Sequence, residues 1–305
     1  MRLAVFDLGT NVFNLLLVEI SKNKCDIKKV IKVNSHIGKG GFKSGALSQE
    51  AIDSSTEALS QMMEQITLNG GVDAIKAFAT SAIRDASNGQ LFVQKVKEKF
   101  GVEIEVISGE REAELVYKGI RESILLYSEN VLMLDIGGGS NELIIANKDK
   151  ILWKQSFPIG VIRIKEMVNP SDPITTSEIE FYLSYLEIIL EPFFTELQRY
   201  NPTLLIGSSG SFDTIRELIF PLDNFSLPAI ELPLDKFALL HNKLLLSNHQ
   251  ERLIMAGMSP MRADYMVLGT IFIDYLIKKG AIRELYQSSF SLKEGYMAEY
   301  AATIQ

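Results

Sequence analysis

A single cysteine, Cys25, excludes a disulfide within the chain and any multi-cysteine metal site. Its plain reading is a partly buried thiol. No apolar run approaches the roughly 20 residues that a bilayer-spanning helix needs. The start, MRLAVFDLGTNVF, runs directly into strand-like sequence with no leader pattern, so the expected location is the cytoplasm, away from membranes. Positive charge is also in deficit. Lys and Arg number 31 against 38 Asp and Glu, a net charge of −7, which excludes a general attraction to nucleic acid. A polyanionic ligand would need a local basic site working against the global field. The three histidines, His36, His241 and His249, show no metal spacing and no partner nucleophile, and read as structural. Neither GxxxxGK[ST] nor a full GxGxxG is found, so neither a P-loop nor a dinucleotide fold is indicated. Low-complexity tracts and flexible linkers are missing as well.

What remains is a chain of 305 residues, 47% hydrophobic, about right for two domains of roughly 150 residues each. Strand-like runs alternate with helical patterns, the mark of an α/β protein. LAVF and NLLLVEI bracket DLGTN as two strands around a tight turn, and KKVIKVN adds a third. The glycine-rich SHIGKGGFKSGALS reads as a loop. Ser48 is placed to cap the helix that follows, and Asn69-Gly70-Gly71 to end it. Near residue 131 the opening pattern returns. LAVFDLGTNVFNLLLV and LMLDIGGGSNELIIA both read apolar run, Asp-x-Gly, small or polar residues, apolar run. Asp7 and Asp135 are about one domain length apart. A duplicated domain follows, with an expected division into 1–124 and 125–305 and with the last helix able to pack back on the first domain. In the second half, KILWKQSFPIGV reads as one strand and SEIEFYLSYLEIILEPFFTELQRY as one long helix. NPTLLIGSSGSFDTIRELI reads as strand, small-residue turn and helix, and FPLDNFSLPAIELPLD as an extended connection. PMRADYMVLGTIFIDYLIKKG reads as a helix stopped by Gly280, and IRELYQSSF as a last strand.

Three turns rich in small residues each follow a buried strand: Gly9-Thr10-Asn11, Gly137-Gly138-Gly139-Ser140, and Gly207-Ser208-Ser209-Gly210-Ser211. Glycine lets backbone amides converge on an anion, and Ser or Thr adds hydroxyl donors. A tight hairpin needs glycine in any case, so one such turn marks nothing. Three of them, two related by the repeat, point to a phosphate-handling cleft between the domains. The third leads into a helix, whose N-terminus favours phosphate. Asp7 and Asp135 stand at equivalent strand ends beside these turns, and Glu142 follows across the hairpin. Carboxylates there repel phosphate unless a hard cation such as Mg²⁺ bridges the two. Arg84, after a buried strand and a small polar turn, is placed to clamp a phosphate. Other basic candidates are Lys39, Lys43, Arg111 and Arg262, while Lys22, Lys24, Lys28, Lys29 and Lys32 read as a solvated face. Glu110, Glu112 and Glu114 crowd a helix start, where acids commonly serve the helix dipole. Physics alone does not choose Glu112 among them.

Six ordered stretches, DLGTNVF, ATSAIRDASNG, ISGEREAEL, LDIGGGSNEL, IGSSGS and SPMRADYMVLG, make nearly the whole chain similar to the exopolyphosphatase and guanosine pentaphosphate phosphatase family. The resemblance implies the fold of the actin, sugar-kinase and heat-shock-chaperone superfamily, two ribonuclease-H-like α/β domains with an active cleft. It implies hydrolysis of terminal phosphoanhydride bonds of polyphosphate or guanosine pentaphosphate, with Mg²⁺ or another divalent cation. By the same resemblance Glu112 matches the glutamate that activates water, and Asp135 and Glu142 match acids that organise metal and water, with Asp7 nearby. Gly137, Gly138, Gly139 and Ser140 match the phosphate loop. Thr10, Asn11, Arg84, Ser208, Ser209 and Gly210 line the same cleft.

Departures bear on substrate preference. Thr10 and Val12 replace serines, and Ser289 to Gly295 alter a common C-terminal stretch. Arg111 stands where an acid often precedes the catalytic glutamate, and its charge is expected to lower the pKa of that base. Long relatives carry a helical C-terminal extension, so a chain ending at Gln305 is expected to suit short polyphosphates or a nucleotide. Two rivals stand beside this reading: an ATP-dependent kinase of the same fold, and a non-catalytic sensor of guanosine tetra- or pentaphosphate. A homodimer is the expected assembly.

Overall fold

The computed structural model describes residues 1–22, 24–126, 128–221 and 227–304. In chain order the elements are β1 (Arg2–Leu8), β2 (Val12–Ser21), β3 (Lys24–Asn34), α1 (Gly41–Ser44), α2 (Gln49–Leu68), β4 (Ala74–Ala79), α3 (Ser81–Asp85), α4 (Gly89–Phe100), β5 (Ile104–Val106) and α5 (Gly109–Ser123). The chain continues with β6 (Val131–Ile136), β7 (Asn141–Ala146), β8 (Ile151–Phe157), α6 (Val161–Val168), α7 (Thr176–Ile189), α8 (Glu191–Tyr200), β9 (Leu204–Ser208) and α9 (Ser209–Ile219). It closes with β10 (Ala229–Glu231), α10 (Leu234–Leu246), α11 (His249–Leu253), α12 (Pro260–Ala263), α13 (Met266–Lys279), β11 (Glu284–Ser288) and α14 (Leu292–Thr303). Two compact units result: residues 1–122 together with α14, and residues 123–290.

The first unit is built on a five-stranded sheet of order β3-β2-β1-β4-β5. β1, β2 and β3 form an antiparallel meander, and β4 and β5 run parallel to β1. Alternation along the strands decides which core each side chain joins. Ala4, Phe6 and Leu8 of β1 and Phe13, Leu15 and Leu17 of β2 share a core with Met62 of α2 and Phe92 of α4. Leu3, Val5, Leu16 and Val18 share the opposite core with Leu115 of α5 and Leu292 and Met297 of α14. Asp7 and Asn14 fall on the α5–α14 side by the same count.

Helix α14 thus belongs with the first unit, and its approach to α5 is close. A Cβ on Gly295 would fall 1.8 Å from the Leu115 carbonyl oxygen, and one on Gly119 would fall 1.9 Å from that of Ser291. Only glycine at both positions lets the two backbones meet. Glu299 of α14 is held by Arg111, whose Nη1 donates at 2.9 Å, and by Lys118. These donors, Arg111 foremost, lower the Glu299 carboxyl from 4.5 to about 2. A depressed acid contributes stability fully present above the unfolded value and lost as pH falls through the folded one. Glu299→Gln is therefore expected to lower the thermal midpoint at neutral pH, with the gap to the parent closing between pH 4.5 and about 2. A gap independent of pH in that range would mean the ion pair contributes nothing.

The second unit repeats the plan in a six-stranded sheet of order β10-β11-β9-β6-β7-β8. Again a meander of three antiparallel strands, β6, β7 and β8, is followed by strands parallel to its first, here β9 and β11. The edge strand β10 has no counterpart in the first sheet.

Several elements differ from the sequence reading. The long helix over 177–200 is two, α7 and α8, parted at Leu190 (φ −93, ψ 6) with a proline, Pro192, in the first turn of α8. Proline lacks an amide donor and crowds the preceding turn, so the helix restarts there. The helix over 260–280 divides into α12 and α13, and the glycine-rich loop holds the single helical turn α1. β8 stops at Phe157, and Gly160 caps a new helix, α6, where a strand was expected to run on. The expected turn after β9 is absent, since Gly207 and Ser208 are strand and α9 starts at Ser209. Part of the proline-containing connection, residues 222–226, lies outside the described residues.

Candidate active site

In the second unit, Asp135 and Glu142 are cross-strand partners at the end of the β6–β7 hairpin. Asp135 is 6% exposed and Glu142 only 1%. Paired residues in adjacent strands present side chains to one face, with Cβ atoms about 5 Å apart. The register extends the row outward. Glu142 pairs with Ser156 of β8, and Asp135 with Ser208 of β9. Hydroxyls satisfy both acids: Ser156 donates to Glu142 Oε1 at 2.7 Å, and Ser208 and Ser209 donate to Asp135 Oδ2 at 3.1 and 2.8 Å. Ser208 and Ser209, expected to line a phosphate site, donate their hydroxyls to Asp135 in this structure. Ser209 adopts φ 68, an unusual conformation for a non-glycine residue, at the point where β9 passes into α9.

The loop from Gly137 to Ser140 has every carbonyl engaged. Val161 N donates to Gly137 O, and Ile162 N and Arg163 N both donate to Gly138 O. Arg163 Nε donates to Gly139 O at 2.8 Å, and Gly137 N to Ser140 O at 3.0 Å. A trans peptide points its N–H opposite to its C=O. With three carbonyls turned toward α6, the amides of Gly138, Gly139 and Ser140 point the other way, as backbone donors that bind an anion do. The N-terminus of α6 is occupied by the loop itself. At the start of α9, Arg262 lays its guanidinium over Gly210, where a Cβ would fall 1.6 Å from Nη2. Burial works against the charge of Arg262 and Asp213 supports it.

The first unit carries the related hairpin with a changed partner. Asp7 pairs in register with Asn14, which occupies the place of Glu142 and donates from Nδ2 to Asp7 Oδ2 at 2.9 Å. Thr10 Oγ1 lies 3.1 Å from Ser81 Oγ, and Asn11 Oδ1 lies 3.0 Å from His36 Nδ1. Asn11 Nδ2 is buried with no hydrogen-bond partner among the described residues. Arg84, at the end of α3, donates from Nη1 to Glu112 Oε2 and to the Ile107 carbonyl, both at 3.1 Å. Glu112, in the first turn of α5 and 9% exposed, is therefore set apart from its neighbours by burial and by this arginine. Arg111, the residue before it, makes its own contact elsewhere. Its guanidinium turns to Glu299 on α14, because an adjacent helix position points about 100° away.

Among the described residues, no group of three or more His, Cys, Asp or Glu forms a complete metal cage. The donor set nevertheless fits a hard cation. Asp135 and Glu142 offer two facing, buried carboxylates whose like charges favour a cation between them. Mg²⁺ characteristically takes one or two carboxylates and completes its shell with phosphate oxygens and water. Asp7 meets Asn14 within its own unit.

Ser156, Asn14, Ser81, His36 and Arg163 were not singled out as site residues by sequence reasoning. Counting back from the β7–β8 turn would have put Gln155 opposite Glu142, because the register slips by one residue between Ile145 and Ala146 and brings Ser156 there instead. Arg163 was hidden because its segment adjoins a strand-like run. No helix among the described residues is long and apolar enough to cross a membrane.

Comparison with known proteins places the chain among phosphatases. It matches the Ppx/GppA phosphatase family over residues 18–303. It is 26% identical to Exopolyphosphatase 1 of Mycobacterium tuberculosis over 299 residues, covering 97% of this chain and 87% of that protein. It is 25% identical to the guanosine-5'-triphosphate,3'-diphosphate pyrophosphatase of Vibrio cholerae over 296 residues, 97% of this chain but 58% of that one. Among solved structures, an exopolyphosphatase from Cytophaga hutchinsonii superposes with a TM-score of 0.96 at 33% identity, covering 100% of this chain and 99% of that one.

Proposed function

The chain belongs to the Ppx/GppA phosphatase family, and on that premise we propose that it releases terminal orthophosphate from inorganic polyphosphate, from guanosine pentaphosphate, or from both. The observation that carries this reading is the buried pair Asp135 and Glu142 beside a loop whose amides are turned together. In the proposed reaction those amides hold phosphate oxygens, and Thr10, Asn11 and Arg262 add donors. A divalent cation held by Asp135 and Glu142 would neutralise the substrate's charge. Ser156, Ser208 and Ser209 keep the two carboxylates in place. Glu112, oriented by Arg84, accepts a proton from the water that attacks the terminal phosphorus, and the shortened chain or nucleotide leaves. Phosphoryl transfer asks chiefly for positioning and charge neutralisation, and this set of residues offers both.

The test is orthophosphate release measured side by side on short polyphosphate, long polyphosphate and guanosine pentaphosphate. Release from at least one without any acceptor is the expected result, and the relative rates give the substrate preference. ATP consumption only when an acceptor is added would instead identify a kinase. Tight nucleotide binding with no release would identify a sensor.

A further inference from the structure

We infer that Arg163 is a positioning residue for the phosphate loop: its guanidinium on the Gly139 carbonyl keeps the Ser140 amide turned toward the bound phosphate. The inference rests on the reading of the 137–140 loop given above.

A run of three glycines has little conformational preference of its own, and each of its peptides is free to flip unless something holds it. Here the restraint comes from α6. Gly137 and Gly138 have their carbonyls bound by backbone amides at the start of that helix, donors that any side chain there would leave in place. Such a close seat requires Gly160, since a Cβ on it would fall 2.4 Å from both Gly138 C and Gly139 N. The Gly139 carbonyl is different, because its donor is a side chain, Arg163 Nε at 2.8 Å. The peptide between Gly139 and Ser140 is therefore the one whose orientation a single substitution releases. Flipped, it would withdraw an amide donor from the anion and present a carbonyl oxygen in its place, changing attraction to repulsion. The positive charge of Arg163 also strengthens the bond that prevents this. Asn141, the next residue, is tied in the same direction by Nδ2 donating to the Ile159 carbonyl at 3.0 Å. Arg163 acts on phosphate through the loop, with its Nε committed to the backbone.

The experiment compares the full chain with Arg163→Met and Arg163→Lys. Hydrogen–deuterium exchange is followed at the Gly138–Ser140 amides, together with KM, kcat and inhibition by inorganic phosphate. For Arg163→Met, KM and the inhibition constant of inorganic phosphate are expected to rise about tenfold or more. Exchange at the loop should quicken while the rest of the second unit exchanges as in the parent. Arg163→Lys, which keeps a charged donor, should recover part of the affinity, and it carries the test alone if the methionine variant does not fold. Unchanged phosphate inhibition and unchanged loop exchange would overturn the inference, as would a general loss of protection without a selective effect at the loop. If the parent releases phosphate normally in that case, the proposed activity stands and only the role of Arg163 falls. If the parent releases none from any substrate, the activity reading falls, and loop exchange alone decides Arg163.

Discussion

Glu112→Gln is expected to cut phosphate release by about a thousandfold while leaving substrate affinity within about threefold of the parent. The substitution changes almost nothing in shape. Gln keeps an oxygen that can accept from Arg84 Nη1, so the contact now made at 3.1 Å survives. What it loses is the ability to take a proton from water. Glu112 is 9% exposed and sits in the first turn of α5, where its position depends on the packing of that helix rather than on solvent. A purely structural ion pair with Arg84 would give the opposite pattern, a loss of stability with turnover retained. Near-parent turnover in Glu112→Gln would remove the residue from the chemistry. Arg84→Gln adds a second reading of the same contact: turnover should fall with the carboxylate still present, because its orientation is lost.

The second large effect joins activity to stability with opposite signs. Asp135→Asn and Glu142→Gln are each expected to lower turnover about a hundredfold or more, since each removes one of two facing oxygen donors. Without divalent cation, however, both variants should be more stable than the parent, by up to about 1 kcal/mol, because like charges directly opposite in a sheet repel. The hydroxyls of Ser156, Ser208 and Ser209 donate to the two carboxylates and ease that repulsion. Added Mg²⁺ should raise the thermal midpoint of the parent, as any ligand of the folded state does, and should raise it much less in either variant. Chelation should likewise stop phosphate release by the parent. Variants that are destabilised without metal yet keep the full Mg²⁺ response would show that the acids are structural.

The duplicated hairpin was legible in the sequence because an acid at a strand end, a glycine turn and a returning apolar run must stand close together in the chain. The hairpin turn between them also foretold that Glu142 would come back toward Asp135. The same repeat puts Asn14 seven residues after Asp7, in the place of Glu142, but its bond to Asp7 needed the observed register. Sequence reasoning could not choose Glu112 from Glu110 and Glu114 without the resemblance to a known family. Its burial and its bond to Arg84 depend on how α3 and α5 meet, which is tertiary information. The last helix was expected to be able to pack back on the first domain, and α14 lies in the first unit, but the glycine contacts that seat it against α5 were not foreseen. The break at Leu190 was masked by strong apolar periodicity on both sides of Pro192. The strand reading ran on past Phe157 to Val161 and gave no element to the rest of α6, so the donor on Gly139 stayed out of view.

The central claim is that water attacks the terminal phosphorus, and oxygen-18 water tests it directly. Polyphosphate or guanosine pentaphosphate, whichever the protein turns over, is hydrolysed in labelled water and both products are analysed by mass. The account predicts one solvent oxygen in each orthophosphate released and none in the shortened chain or nucleotide. Label in the shortened product, or phosphate that appears only on an added acceptor, would contradict it.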